Sequence, residues 1–255
     1  MPVQANLHAE GLPDAPSGRL EADGMLDGAP LDLAATLART PDGTLRAEIA
    51  RAAWRSLTAG GRLELAPGAT LPQGEITVAM ERLADLSRLL GQKLEGAVTL
   101  NLKSAAEKSG IAATGPVLRL EASAHGIVAP GEIGLREGRL AATLRDPQGT
   151  PRAEARLDLA GLRAGSLGGT ARLDAAGPPE ALELKLAAAL TGVGGTPLEV
   201  HTEARLDLPK RVLALSAATA LWKDQTLRLL GPARLEFAEG VRVGRLRLGL
   251  GGASL

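Results

Sequence analysis

The chain has 255 residues, enough for one large β domain or two smaller ones, and its 29 basic and 29 acidic residues cancel. That balance argues against a nucleic-acid binder, which carries a basic excess, and a hydrophobic share of 45% argues against disorder. The absence of cysteine excludes disulfides, thiol nucleophiles and thiolate metal sites.

The first predicted elements are short alternating strands over 18–26, 31–39, 44–50, 61–66 and 74–80. Turn signals separate them at Pro41-Asp42-Gly43-Thr44, Ala66-Pro67-Gly68 and Leu71-Pro72-Gln73-Gly74. Residues 81–90 break the rhythm. Leu83, Leu86, Leu89 and Leu90 fall at helical spacing with Arg82, Asp85 and Arg88 on the other side, and Gly91 suits a C-cap. This short amphipathic helix is expected to plug one end of an apolar array. Strands resume over 95–103, 110–114, 117–124, 132–135, 138–145, 153–160, 169–175, 182–190, 198–208, 212–221, 226–230, 233–238 and 242–250. Between them lie Asp146-Pro147-Gln148-Gly149, Gly177-Pro178-Pro179-Glu180, Gly192-Val193-Gly194-Gly195 and Leu208-Pro209-Lys210. Connections this short favour antiparallel neighbours.

One phrase recurs: a small residue, Arg, Leu, an acid, then a small or apolar residue. It stands at Gly18–Ala22, Gly61–Leu65, Ala155–Leu159, Ala171–Ala175, Ala204–Leu208 and Ala233–Phe237. Each copy has one wet face and one apolar face, as do Leu182-Glu183-Leu184-Lys185-Leu186 and Leu246-Arg247-Leu248-Gly249-Leu250. The predicted fold is therefore all-β: a long curled antiparallel sheet, an open half-barrel groove, with one short helix near 81–90. About 16 strands at roughly 4.8 Å each would run about 75 Å. The aromatic residues are only Trp54, Trp222 and Phe237, so Leu, Ala and Val must line the apolar surface. The groove-lining candidates are Leu182, Leu184, Leu186, Leu206, Leu208, Leu213, Leu215, Leu227, Leu229, Leu235, Phe237, Val241, Val243, Leu246, Leu248 and Leu250. The chain reads as one repetitive array over 1–255, with modules 1–92 and 93–255 as the alternative division. The two tryptophans stand in related settings and hint at such a duplication.

No residue cluster announces chemistry. His8-Ala9-Glu10 and His201-Thr202-Glu203 could each offer two metal ligands on one strand face, but zinc sites need three or four. His125 stands apart from both. Gly192-Val193-Gly194-Gly195 lacks the following helix that a phosphate loop needs and reads as a hairpin turn. Nucleophile elbows and matched carboxylate pairs are missing, so no catalytic residue, metal or cofactor is predicted and an enzyme is not expected. The acids sit beside arginines, which suits cross-strand ion pairing. A mildly basic stretch from Arg205 to Arg247 would form a solvated face or meet lipid phosphates.

Gly74-Glu75-Ile76-Thr77-Val78, then Leu83-Ala84-Asp85-Leu86, then Leu94-Glu95-Gly96-Ala97-Val98 form a strand, a short helix and a Leu-x-Gly strand opening. With Trp222 and the Gly-Pro-Ala and alternating leucines up to Leu250, this pattern resembles the TamB proteins of the AsmA-like family, most clearly over 62–120 and 204–255. The resemblance implies a periplasmic, taco-shaped sheet whose apolar groove carries phospholipid between the inner and outer membranes. It also implies an N-terminal inner-membrane anchor and a TamA-like outer-membrane barrel partner. The N-terminal residues have no signal-peptide core, no run reaches the roughly 18 apolar residues of a membrane helix, and the pattern ends without a terminator. The chain is accordingly expected to be an interior piece of a longer protein, with anchor and partner-binding parts elsewhere. Two other functions fit a β-array: a closed structural scaffold, or a platform that assists outer-membrane proteins by β-augmentation at its edge.

Overall fold

A computed structural model describes residues 3–11, 17–109, 113–193, 196–223, 225–237, 240, 242–244 and 246–252. Chain contacts divide it into two units, Met1–Pro130 and Gly131–Leu255.

The first unit holds β1 (Gln4–Glu10), β2 (Ser17–Leu26), β3 (Ala29–Arg39), β4 (Leu45–Trp54), β5 (Leu57–Leu65), β6 (Gln73–Met80), β7 (Glu95–Ser109) and β8 (Ala113–Ala129). Each strand pairs antiparallel with the next in the chain. The helical segment between β6 and β7 is a 3-10 turn, Leu83–Leu86, followed by α1 (Ser87–Leu90). Gly91 caps it in the left-handed conformation at φ 65°, as its position after the last leucine predicts.

The second unit holds β9 (Ile133–Arg145), β10 (Arg152–Ala164), β11 (Leu167–Gly177), β12 (Leu182–Val193), β13 (Thr196–Asp207), β14 (Val212–Trp222), β15 (Gln225–Leu229), β16 (Ala233–Glu236), β17 (Arg242–Val243) and β18 (Leu248–Gly252). Strands β9 to β14 pair antiparallel in chain order. Beyond them β14 divides its edge between β15 and β16, β15 goes on to β18, and β16 to β17.

Register turns the alternating sequence into two-faced sheets. Directly opposed residues share a face, so one apolar row in the first unit runs Leu7, Leu20, Ala35, Ile49, Gly61, Ile76, Leu102, Leu120. In the second unit a row runs Leu140, Leu157, Leu173, Leu186, Thr202, Ala218. The opposite faces carry the charges. The expected open, antiparallel, all-β architecture with one short helical segment is therefore what the chain adopts.

Several element bounds differ from the sequence reading. Strand β1 is not in it, since Gln4–Glu10 carries only alanines and one leucine as apolar residues. Runs 132–135 and 138–145 are one strand, because the pairing continues from Leu135 with Leu162 to Glu137 with Ala160. Run 242–250 divides into β17 and β18. Most of run 110–114 lies outside the described residues, and its last two positions open β8.

Little of this apolar surface is buried. Among the described residues the buried apolar set is Ala22, Ala29, Trp54, Met80, Val117, Leu182, Ala204 and Ala233, and no large side chain is fully enclosed. The chain exposes 16252 Å². Two separate compact domains of half its mass would expose about 12,700 Å² in all. The apolar faces thus remain half open rather than folded into dry cores.

Candidate functional site

The candidate site is the apolar face, and the second unit holds most of the predicted lining. Leu182, Leu206, Leu213 and Leu235 are opposed across β12, β13, β14 and β16, and the row continues through Leu235 to Val243 on β17. Leu184 and Leu215 belong to the next row, joined through Ala204. Leu186 lies in the row with Leu173. Leu227 faces Leu250, and Leu229 faces Leu248. Leu182 is buried and Leu206, Leu213, Leu215, Leu227, Leu229 and Leu235 are half-buried, whereas Leu248 and Leu250 are exposed. Leu208 and Phe237 lie past strand ends, their backbone amides donating to the carbonyls of Pro179 and Arg211, and Leu246 is exposed before β18. Val241 lies outside the described residues.

Six strands at about 4.8 Å and ten residues at about 3.4 Å make the face of β9–β14 on the order of 1,000 Å². The rows across it are mostly half-buried rather than enclosed, with Leu182 and Ala204 buried. Its chemistry is mainly aliphatic, alanine, leucine and valine, with Thr202 and Trp222 as exceptions in the rows of β12 to β14. It offers mainly hydrocarbon contact.

The polar faces behave differently. Arg172 donates to Asp158 at 2.5 Å from the directly opposed position, and Arg156 reaches Asp174 at 3.7 Å. In the first unit Arg46 pairs with Glu64 at 2.8 Å and Arg62 with Glu48 at 3.1 Å. The Arg172 hydrogen bond and charge lower the Asp158 pKa below its ordinary value, and the reverse contact raises that of Arg172. A cavity of about 660 Å³ on this face of the second unit is lined by Glu137, Arg139, Asp158, Arg172, Glu199 and His201. Its arginines are already matched, Arg139 with Glu137 and Arg172 with Asp158, which leaves Glu199 beside His201 as the remaining charge. His8 contacts Glu10 at 2.8 Å in full exposure. Among the described residues no three His, Asp or Glu side chains gather as a metal site, and no helix is long and apolar enough to cross a membrane.

One end of the apolar face of the first unit is closed. Ala29, Trp54 and Met80 form a buried cluster against which Leu31, Leu57, Leu83 and Leu86 pack. Trp54 ends β4, and its indole N–H donates to the Leu26 carbonyl at 2.9 Å. The following Arg55, at φ 52° in the hairpin turn, lies 5.2 Å over the indole ring. Lys223 repeats this at Trp222, with φ 55° and 4.7 Å.

Polar bonds fasten the helical segment to that end. The Ser56 hydroxyl donates to Asp85 at 2.5 Å and the Ser56 amide at 3.1 Å. The Arg82 amide donates to the Ser56 hydroxyl at 3.0 Å. Asp27 accepts from Arg55 at 2.9 Å and from Arg88 at 3.4 Å. The sequence reading placed Leu83 and Leu86 but missed Ser56, Asp27 and Arg55, because two hairpin turns far apart in the chain bring them together.

The Ser56 hydrogen bond, followed by the Ser56 amide and the charges of Arg82 and Arg55, lowers the Asp85 pKa below its ordinary 3.8. A carboxylate with a depressed folded pKa stabilises fully above its unfolded value, and this is lost as pH falls through the folded one. Acidification from about pH 5 to about pH 3 is expected to loosen the segment and red-shift Trp54 emission in a Trp222→Phe background. An Asp85→Asn variant should lack that acid step; an unchanged step in the variant would assign it to other carboxylates.

No protein-family model, curated protein or solved structure matches the chain.

Proposed function

We propose that the chain shields phospholipid acyl chains along its aliphatic faces, as part of a periplasmic bridge between inner and outer membranes that supports outer-membrane biogenesis. The observation that carries this reading is the half-exposed, mainly aliphatic face of the second unit, of roughly lipid-sized area. Each methylene moved from water onto such a face gains about 0.8 kcal/mol when fully covered. A continuous aliphatic row lets a chain slide, because no single site holds it. The AsmA-like resemblance supplies the setting, including an inner-membrane anchor and a TamA-like partner engaged by other parts of the protein. A dry structural scaffold accords less well with faces that stay half open.

The test is organic extraction and mass spectrometry of the purified chain, with Leu184→Asp beside it. Leu184, the third residue of β12, is opposed to Ala175 and Ala204, so an introduced carboxylate would stand on the apolar face between those two strands. Wild type is expected to carry phospholipid, and the variant to lose about tenfold or more, given the cost of placing a charge against hydrocarbon. A folded Leu184→Asp chain with wild-type lipid content, or a lipid-free wild type, would sink the proposal.

A further inference from the structure

We infer that the segment from Arg82 to Gly91 is a latched lid whose Leu83 and Leu86 occupy an acyl-chain site formed by Leu31, Trp54, Leu57 and Met80. This rests on the lipid-shielding reading and names where, in the first unit, a chain is admitted or stopped. Trp54 at 3% and Met80 at 6% exposure are covered partly by side chains that do not belong to the sheet. The two leucines present branched hydrocarbon to the indole, as an acyl chain would. The segment has little helical stability of its own. It is one 3-10 turn and one α turn, neither with a side-chain N-cap, and runs this short are not stable in isolation. Leu89 and Leu90 already face solvent at 49% and 57% exposure, so outward motion uncovers little more at that end.

What holds the lid is the Ser56–Asp85 bonding at its start and the Arg88–Asp27 contact at its end. Those bonds are partly solvated and exchange with water. Loss of hydrogen bonds to an ionised carboxylate is expected to raise the open population about tenfold or more.

The experiment uses the full chain with Trp222→Phe, which leaves Trp54 as the only tryptophan. Asp85→Ala releases the latch, and Leu83→Ala with Leu86→Ala empties the site while keeping the latch. Acrylamide quenching of Trp54 and quenching by phospholipid brominated on its acyl chains are both read, beside extracted lipid content and far-UV circular dichroism. Both variants are expected to quench several-fold more than the parent with each reagent. Parent-level acrylamide and bromolipid quenching in both folded variants overturns the lid, even if lipid co-purifies. Raised acrylamide quenching with no lipid bound by any form supports a lid but overturns the acyl-chain site and the reading beneath it.

Discussion

Replacing Trp54 with alanine is expected to destabilise the first unit by about 3–5 kcal/mol, the range for emptying a buried aromatic site. The residue combines burial to 3% exposure with three separate attachments: the cluster with Met80 and Ala29, the bond to the Leu26 carbonyl, and the Arg55 contact. Among the described residues few side chains are buried, so little other packing is there to absorb the loss. The cavity would also strip Leu83 and Leu86 of their main contact, so the helical segment should loosen with it. Urea unfolding followed by circular dichroism would show the midpoint fall without a change of slope. Trp222→Ala, at a half-buried position, should cost distinctly less. Equal losses at the two positions would mean that the Trp54 cluster is not the anchor of its unit.

This asymmetry between related tryptophans explains what the sequence made legible. Both stand at the end of a strand, both precede a cation at positive φ, and both carry that cation over the ring. The sequence relates the two only through the phrase that follows each, Arg62-Leu63-Glu64-Leu65 and Arg234-Leu235-Glu236-Phe237; the cation over the ring is seen in the structure alone. What buries Trp54 is not local. Met80 comes from β6, Ala29 from β3 and Leu86 from the segment beyond β6, and only register brings them together. The same holds for the faces. Alternation in Leu182-Glu183-Leu184-Lys185-Leu186 announces a two-faced strand, and the short turns announce antiparallel neighbours. That Leu182 heads a row through Leu206, Leu213 and Leu235, while Leu248 is opposed to half-buried Leu229, follows from strand lengths and from the division of the β14 edge between two partners. A chain with hydrophobic residues every second position fixes its faces, but the depth of burial is set by what packs on them. In these units almost nothing does, apart from the helical segment.

Replacing Gly74 with alanine is expected to be comparably severe, about 3–5 kcal/mol, because strain and overpacking add at one position. Gly74 lies in β6 at φ 140°, between Leu63 of β5 and Ser104 of β7. A β-carbon there would run into the Arg62 carbonyl and come within 3.0 Å of the Leu63 Cα. Both obstacles are backbone of a paired strand, so the only relief is to part β5 from β6. Gly61 makes the reciprocal approach from β5, where a β-carbon would meet Glu75 and come within 2.8 Å of the Ile76 Cα. Gly28 supplies the comparison. Its φ of 73° is also left-handed, but no atom lies within 4 Å of an added β-carbon, so Gly28→Ala should cost only the conformational penalty of about 1–2 kcal/mol. The difference between the two variants in urea unfolding isolates the backbone contact from the φ preference. If they cost the same, β5 and β6 are not in close approach. If Gly74→Ala is the worse by the expected margin, the glycines allow an intimacy of strands that side-chain packing elsewhere on this open sheet does not provide. Their loss should then also uncouple Trp54 on β4 from Met80 on β6, since Leu57 of β5 is opposed to both.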